Sequence, residues 1–186
     1  MAESDRLGAV KTSPKLNRLV RLGQGIALLG VVYFTVNFMA HCLTEARYAQ
    51  WLFRVWAGQP MTINGQSWLA GTAVLFGFNL INVAPLFVVM RLLESFRSGD
   101  LFGVTMERGL RHMSYWYVAI IGEKIFADPL LFYTATYFNP AGPVSMMPRF
   151  SFVAILPDMI ITISLLLLSE IIKEARRAKE ENEGFI

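Results

Sequence analysis

The amino-acid sequence predicts an all-α integral membrane protein. The expected architecture is a four-helix bundle with both termini cytoplasmic, a 2+2 hairpin layout and a helical cytoplasmic extension at the C-terminus. Three observations lead there. Of the 186 residues, 54% are apolar and only 17% are charged, where a soluble domain averages about a quarter charged. The apolar residues gather into runs of roughly 20, the length a helix needs to cross a hydrocarbon core of about 30 Å. Lysine and arginine collect on alternate connections between those runs. The single cysteine, Cys42, excludes an internal disulfide, and His41 and His112 lack metal-ligand spacing. A net charge of +3 falls short of the basic stripe that nucleic acid needs. Direct nucleic-acid binding, a metal and a cofactor are therefore not expected.

The first span covers about residues 22–42, "LGQGIALLGVVYFTVNFMAHC". It is too long for a signal-peptide core, and no small-x-small cleavage site follows. "FMAHC" ends on a cysteine, but His41 stands where lipoprotein processing expects a small residue. Gly23 and Gly25 read as close-packing positions between helices. The outer segment that follows holds Trp51, Phe53 and Trp56, rings that settle at the headgroup level. "INGQ" at 63–66 reads as a tight turn.

The second span, about 68–90, carries Asn79 and Asn82 on one face, with Pro85 below them. The inner connection 91–112 offers Gly99 as a helix stop and Asp100 as an N-cap. Phe102, Met106, Leu110 and Met113 then recur at helical spacing. That stripe can lie on the membrane surface, against another inner helix or against a partner. The third span, about 113–134, contains "IIGEKIFADPLL". A charge at mid-membrane costs about 2.5–3.5 kcal/mol on the insertion scale, so this span needs a second argument. Without it, the two chain ends would fall on opposite faces and the charge asymmetry would vanish. The outer loop "YFNPAGPVSMMPR" is rich in proline and should be irregular. The fourth span, about 150–172, holds Pro157 and Asp158; the tail 173–186 continues it as a charged helix. Arg176–Glu180, Arg177–Glu181 and Lys179–Glu183 are i, i+4 pairs there. The whole chain, 1–186, forms one membrane domain.

Thirteen Lys and Arg residues fall on the side of the termini and three on the other, with Lys124 inside a span. The expected location is thus the inner (cytoplasmic) membrane, multi-pass, with both ends inside. At about 1.5 Å per residue, Asn79, Asn82, Glu123, Lys124, Asp128 and Asp158 share one mid-membrane slab. Such groups must point into the bundle or a wet cavity. Lys124 and Asp128 are spaced to pair within one helix, with Asp158 as the cross-helix competitor. Three acids meet one base, so one carboxyl must hold a proton or reach water; Glu123 is the expected one. Two readings stand: a polar lock that fixes helix register, or a site for a proton, a cation or a small polar ligand.

The stretch "RLLESFRSGDLFGVTMERGLRHMSYW", with Gly99 and Phe102, resembles the inner connection of a bacterial four-span membrane family called domain of unknown function 2975. The terminal "EENEGFI" is similar to that family's acidic and apolar finish, except at Gly184. The resemblance implies a four-span bundle of no established activity, whose genes often neighbour small helix-turn-helix regulators. It implies no catalytic residues. A weak echo between "RLLESFRSG" and "LSEIIKEAR", each with a glutamate (Glu94, Glu170) followed by basic residues, points to two hairpins of similar design.

The favoured functional expectation is a regulatory or scaffold protein. A cytoplasmic regulator would dock on the 91–112 connection and the C-terminal helix, through Phe102, Met106, Leu110, Arg176 and Arg177. The alternative is a small transporter or ion-conducting protein, working as a homodimer in the lipid bilayer through the charged cluster. An enzyme is not expected: the chain has no nucleophile elbow and no phosphate-cradling glycine loop.

Overall fold

The computed structural model describes residues 14–44, 46–50, 63–98, 102–138 and 151–183. Four long helices account for most of them: α1 (Pro14–Cys42), α2 (Gly65–Ser98), α3 (Val104–Tyr137) and α4 (Phe152–Glu183). No strand occurs among the described residues. By length and composition α1, α2 and α4 can each cross a membrane. α3 is as long as α2, at 34 residues, but its charges keep it out of that group.

Helix order in space follows helix order in the chain. α1 packs on α2, α2 on α3 and α3 on α4. Each pair is antiparallel, as contacts near both of its ends show. Gln24 Nε2 donates to Glu94 at one end of α1–α2 and Trp68 Nε1 donates to the Cys42 carbonyl at the other. For α2–α3, Leu92 lies against Gly109 at one end and Val74 and Leu75 pack near Leu131 and Phe132 at the other. For α3–α4, Glu107 binds Arg176 and Lys124 binds Asp158. The described parts of α1 and α4 do not meet, so the expected bundle is an open layer. The α2–α3 contact also joins the two halves as extensively as either hairpin is joined within itself. The first and last described residues, Pro14 and Glu183, lie at one end of this layer.

The layer leaves large apolar side chains bare on its edge helices: Leu22, Leu29 and Val36 on α1, and Val153 (81% exposed), Ile163 and Leu167 on α4. A soluble monomer rarely shows apolar patches of this extent; hydrocarbon accepts them. On α4 the inward face is narrow. Ile155, Asp158, Thr162, Ser169 and Ile172 are buried, with Leu165 half-buried between them. They alternate three and four residues apart, the spacing of a single seam against a neighbouring helix.

Two clusters hold the layer. At the end away from the termini, Leu131, Phe132 and Ala135 of α3 enclose Tyr48, with Trp68 packed on them. Tyr48 is fully buried against Gly71, where a Cβ would run into the phenol ring. Burial first, and Cys42 second, push that phenol above its ordinary range. At the termini end, Leu92 of α2, Met106, Leu110 and Met113 of α3 and Ile172 of α4 form the other cluster.

Every helix runs beyond its expected span at the termini end, not only α4. Residues 14–21, 91–98, 104–112 and 173–183 are all helical. Met106, Leu110 and Met113 of the apolar stripe are therefore in the first turns of α3, and Phe102 precedes it, exposed. Met106 is 2% exposed and Leu110 6%, so both are taken up between helices and unavailable to a partner. "INGQ" is no turn: Asn64 Oδ1 accepts the Ser67 amide at 2.8 Å and caps α2. α3 starts after Gly103, without a side-chain cap. Gly99, Asp100, the Trp51–Trp56 belt, most of the proline-rich loop and the "GFI" finish lie outside the described residues.

The tight approach of Tyr48 gives a direct test. Gly71→Leu should lower the melting temperature of the detergent-solubilised protein, since overpacking costs about 1–3 kcal/mol. Gly77→Leu, where a Cβ meets nothing within 4 Å, should leave it unchanged or higher.

Candidate functional site

Glu123 and Lys124 are consecutive on α3, so their side chains diverge by about 100° around the helix. α3 sits between α2 and α4, and each residue reaches one of them. On the α2 side, Asn82 Nδ2 donates to Glu123 Oε1 and Oε2 at 2.9 and 2.8 Å, and to the Phe78 carbonyl at 2.9 Å. On the α4 side, Lys124 Nζ donates to Asp158 Oδ2 and to the Ala154 carbonyl, the latter at 3.5 Å. Ala154 belongs to the turn of α4 that Pro157, lacking an N–H, weakens. Asp158 is buried, and Thr162 Oγ1 donates to its backbone carbonyl at 2.7 Å.

Lys124 thus pairs across helices with Asp158, not along α3 with Asp128. An i, i+4 pair on a helix surface gains only about 0.2–0.5 kcal/mol, and Asp128 stands exposed with no ion pair among the described residues. With Lys124 turned to α4, Glu123 also has no cationic partner among the described residues.

Glu123 faces a cavity of about 220 Å³ between α1, α2 and α3. Asn79 and Asn82 enter it from α2, Asn37 and His41 from α1. Phe34, Phe38 and Phe78 supply apolar walls. His41 Nδ1 donates to the Asn37 carbonyl at 2.8 Å; a carbonyl can only accept, so the neutral ring keeps Nε2 as its acceptor nitrogen. Of the six slab residues, the structure therefore brings Asn79, Asn82 and Glu123 to one cavity, and Lys124 and Asp158 to one ion pair. Asn37 and His41 complete the cavity without having been expected there. Their signal in the sequence was two polar residues four apart in an otherwise apolar span.

At the termini end, Glu107 is almost fully buried in the first turn of α3 and binds Arg176 at 2.8 Å and Arg111 at 3.4 Å. Arg111 continues to Glu170 at 2.9 Å, and Glu170 to Lys173 at 3.0 Å. The first two i, i+4 pairs of the tail form as expected, Arg176–Glu180 at 3.8 Å and Arg177–Glu181 at 3.0 Å. Of the five expected partner-surface residues, Met106 and Leu110 are core and Arg176 is held by Glu107; Phe102 and Arg177 remain exposed.

No group of three or more His, Cys, Asp or Glu residues is placed to hold a metal ion among the described residues. No family model matches the chain, and neither a curated protein nor a solved structure matches it.

Lys124 is half-exposed and Asp158 buried, so removing one member of this partly desolvated pair leaves the other uncompensated, whereas removing both does not. Lys124→Met and Asp158→Leu should therefore each lower stability by up to about 3 kcal/mol, and the double variant should recover most of the loss. Additive losses in the melting temperature would show that the pair is not a closed unit.

Proposed function

We propose that the chain is a multi-pass protein of the inner membrane in which all four helices cross. In this reading it binds a small cation on Glu123 in the α1–α2–α3 cavity and moves it across the bilayer. The observation that carries this is the Glu123 carboxylate. It faces a cavity at the level of the Lys124–Asp158 pair, and Lys124, its neighbour in sequence, is already engaged on the other side. A mid-membrane carboxylate without a counter-ion marks an ion or substrate pathway by default. The crossing of α3 is supported by its contacts: it lies antiparallel to α2 and α4 from end to end, so it shares whatever depth they occupy.

The orientation rests on the end where the termini lie. Lys15, Arg18, Arg21, Arg91, Arg97, Arg108, Arg111, Lys173, Arg176, Arg177 and Lys179 gather there, which by the positive-inside rule faces the cytoplasm. An open layer encloses no pathway alone, so the proposal includes a homodimer. Docking of a cytoplasmic regulator loses Met106, Leu110 and Arg176 to internal contacts, which is why the cavity carries the proposal. The resemblance to domain of unknown function 2975 belongs to it too, and adds a layout without an activity.

Two measurements test this. Reporter tags on the N- and C-termini should both read cytoplasmic, and one placed after Phe138 should read the opposite side; ends on opposite faces would remove α3 from the membrane. In proteoliposomes, the full chain should carry proton or sodium flux, and Glu123→Gln should cut it by at least about tenfold, the value of one contact to a charged group. Flux that is absent, or intact in both Glu123→Gln and Asp158→Asn, would end the transport reading.

A further inference from the structure

The cavity is more specific than a bare ion requires. Its volume of about 220 Å³ falls just below the range of pockets that take drug-sized ligands, yet far exceeds one dehydrated metal ion. Two of its polar groups, Glu123 and Asn82, present acceptors, while the amides of Asn37 and Asn79 can serve either role. Glu123 offers carboxylate oxygens. Asn82 has committed Nδ2 to Glu123 and to the Phe78 carbonyl, which leaves its Oδ1 for a ligand. An anion would meet both of these acceptors unfavourably. A neutral apolar molecule would leave the carboxylate without a counter-charge. An inorganic cation would touch the acceptors and none of the walls.

Those walls are phenyl rings. Phe34 and Phe38 come from α1 and Phe78 from α2, and Phe38 is braced by Phe76, ring centroids 5.8 Å apart. Aromatic rings attract ammonium groups through their quadrupoles and hydrocarbon through burial. Phe78 and Asn82 lie one turn apart on the same helix, so ring and amide meet the cavity at neighbouring levels.

We propose that the cavity takes a small organic cation, its ammonium head on Glu123 beside Asn82 and its hydrocarbon body among Phe34, Phe38 and Phe78. The proposal rests on the cation-site reading above and names the ligand class of that site.

The test is calorimetric titration of the full chain in lipid nanodiscs with benzylammonium and tetraethylammonium, against benzyl alcohol and sodium chloride. The organic cations should bind. Glu123→Gln should weaken benzylammonium by at least about tenfold, Phe38→Ala should weaken it by several-fold, and benzyl alcohol should give no heat of binding. Sodium binding at Glu123 with no response to either organic cation would overturn this inference while leaving the cation-transport reading standing. Benzyl alcohol binding as well as benzylammonium would overturn it by showing an apolar hole. Silence with every probe overturns it too, and the proteoliposome flux then decides whether a proton site survives.

Discussion

Charge on α3 has to be answered sideways. If α3 crosses as proposed, ionised side chains near mid-depth favour a partner on a neighbouring helix over lipid, and of its three charges there only Asp128 stands without such a partner among the described residues. α3 carries Glu123 and Lys124 in succession, so it needs a partner on each flank, and only an interior place in the layer supplies two. Asn82 on α2 and Asp158 on α4 are those partners. The edge places go to α1 and α4, which bare broad apolar faces. A helix with α3's charges at an edge would turn one of them to lipid. The order of the helices is thus the order their side chains can bear.

How far the sequence disclosed this depends on the length scale of the signal. Three spans, α1, α2 and α4, were legible because about 20 apolar residues is a long pattern that few alternatives mimic. α3 shows the limit: its composition falls short of a span, and only charge asymmetry argued for it. The helical extensions at the termini end were mostly invisible. Beyond the lipid there is no hydropathy signal, and what keeps residues 104–112 helical and packed is tertiary: Met106 and Leu110 under Leu92 and Ile172, and Glu107 between Arg111 and Arg176. An amphipathic stripe tells that a face is covered, not by what. The Asn-Gly pair at 64–65 failed for a related reason, since asparagine serves a tight turn and a helix N-cap equally well.

The polar slab was legible as a level but not as a wiring. Depth follows from counting residues; partner choice needs rotation about each helix axis and the identity of the neighbour. Lys124 had Asp128 one turn away on its own helix and still pairs with Asp158. The cross-helix pair is partly desolvated and its attraction is correspondingly less screened. Asn37 and His41 escaped notice because each alone is a minor polar interruption. They matter only once α1 is laid against α2 in register.

That register also explains why the cavity exists. The echo around Glu94 and Glu170 continues through both hairpins. Glu94 accepts from Gln24 on the preceding helix and from Arg97 one turn on; Glu170 accepts from Arg111 on the preceding helix and from Lys173 one turn on. Asn82 precedes Glu94 by the same separation as Asp158 precedes Glu170, and Gln24 precedes Asn37 by the same separation as Arg111 precedes Lys124. Even His41 and Asp128 correspond. The two hairpins therefore carry one polar pattern in two versions, with uncharged Gln24, Asn37 and Asn82 in α1–α2 where α3–α4 has charged Arg111, Lys124 and Asp158. Where the second hairpin has a long lysine that reaches Asp158, the first has the short amide of Asn37, facing Asn82 across the gap. A lysine fills its gap and forms a closed ion pair; two asparagines leave theirs open. The cavity is that missing length of side chain, and Glu123 borders it because α3 packs on the first hairpin through the helix that carries Asn82.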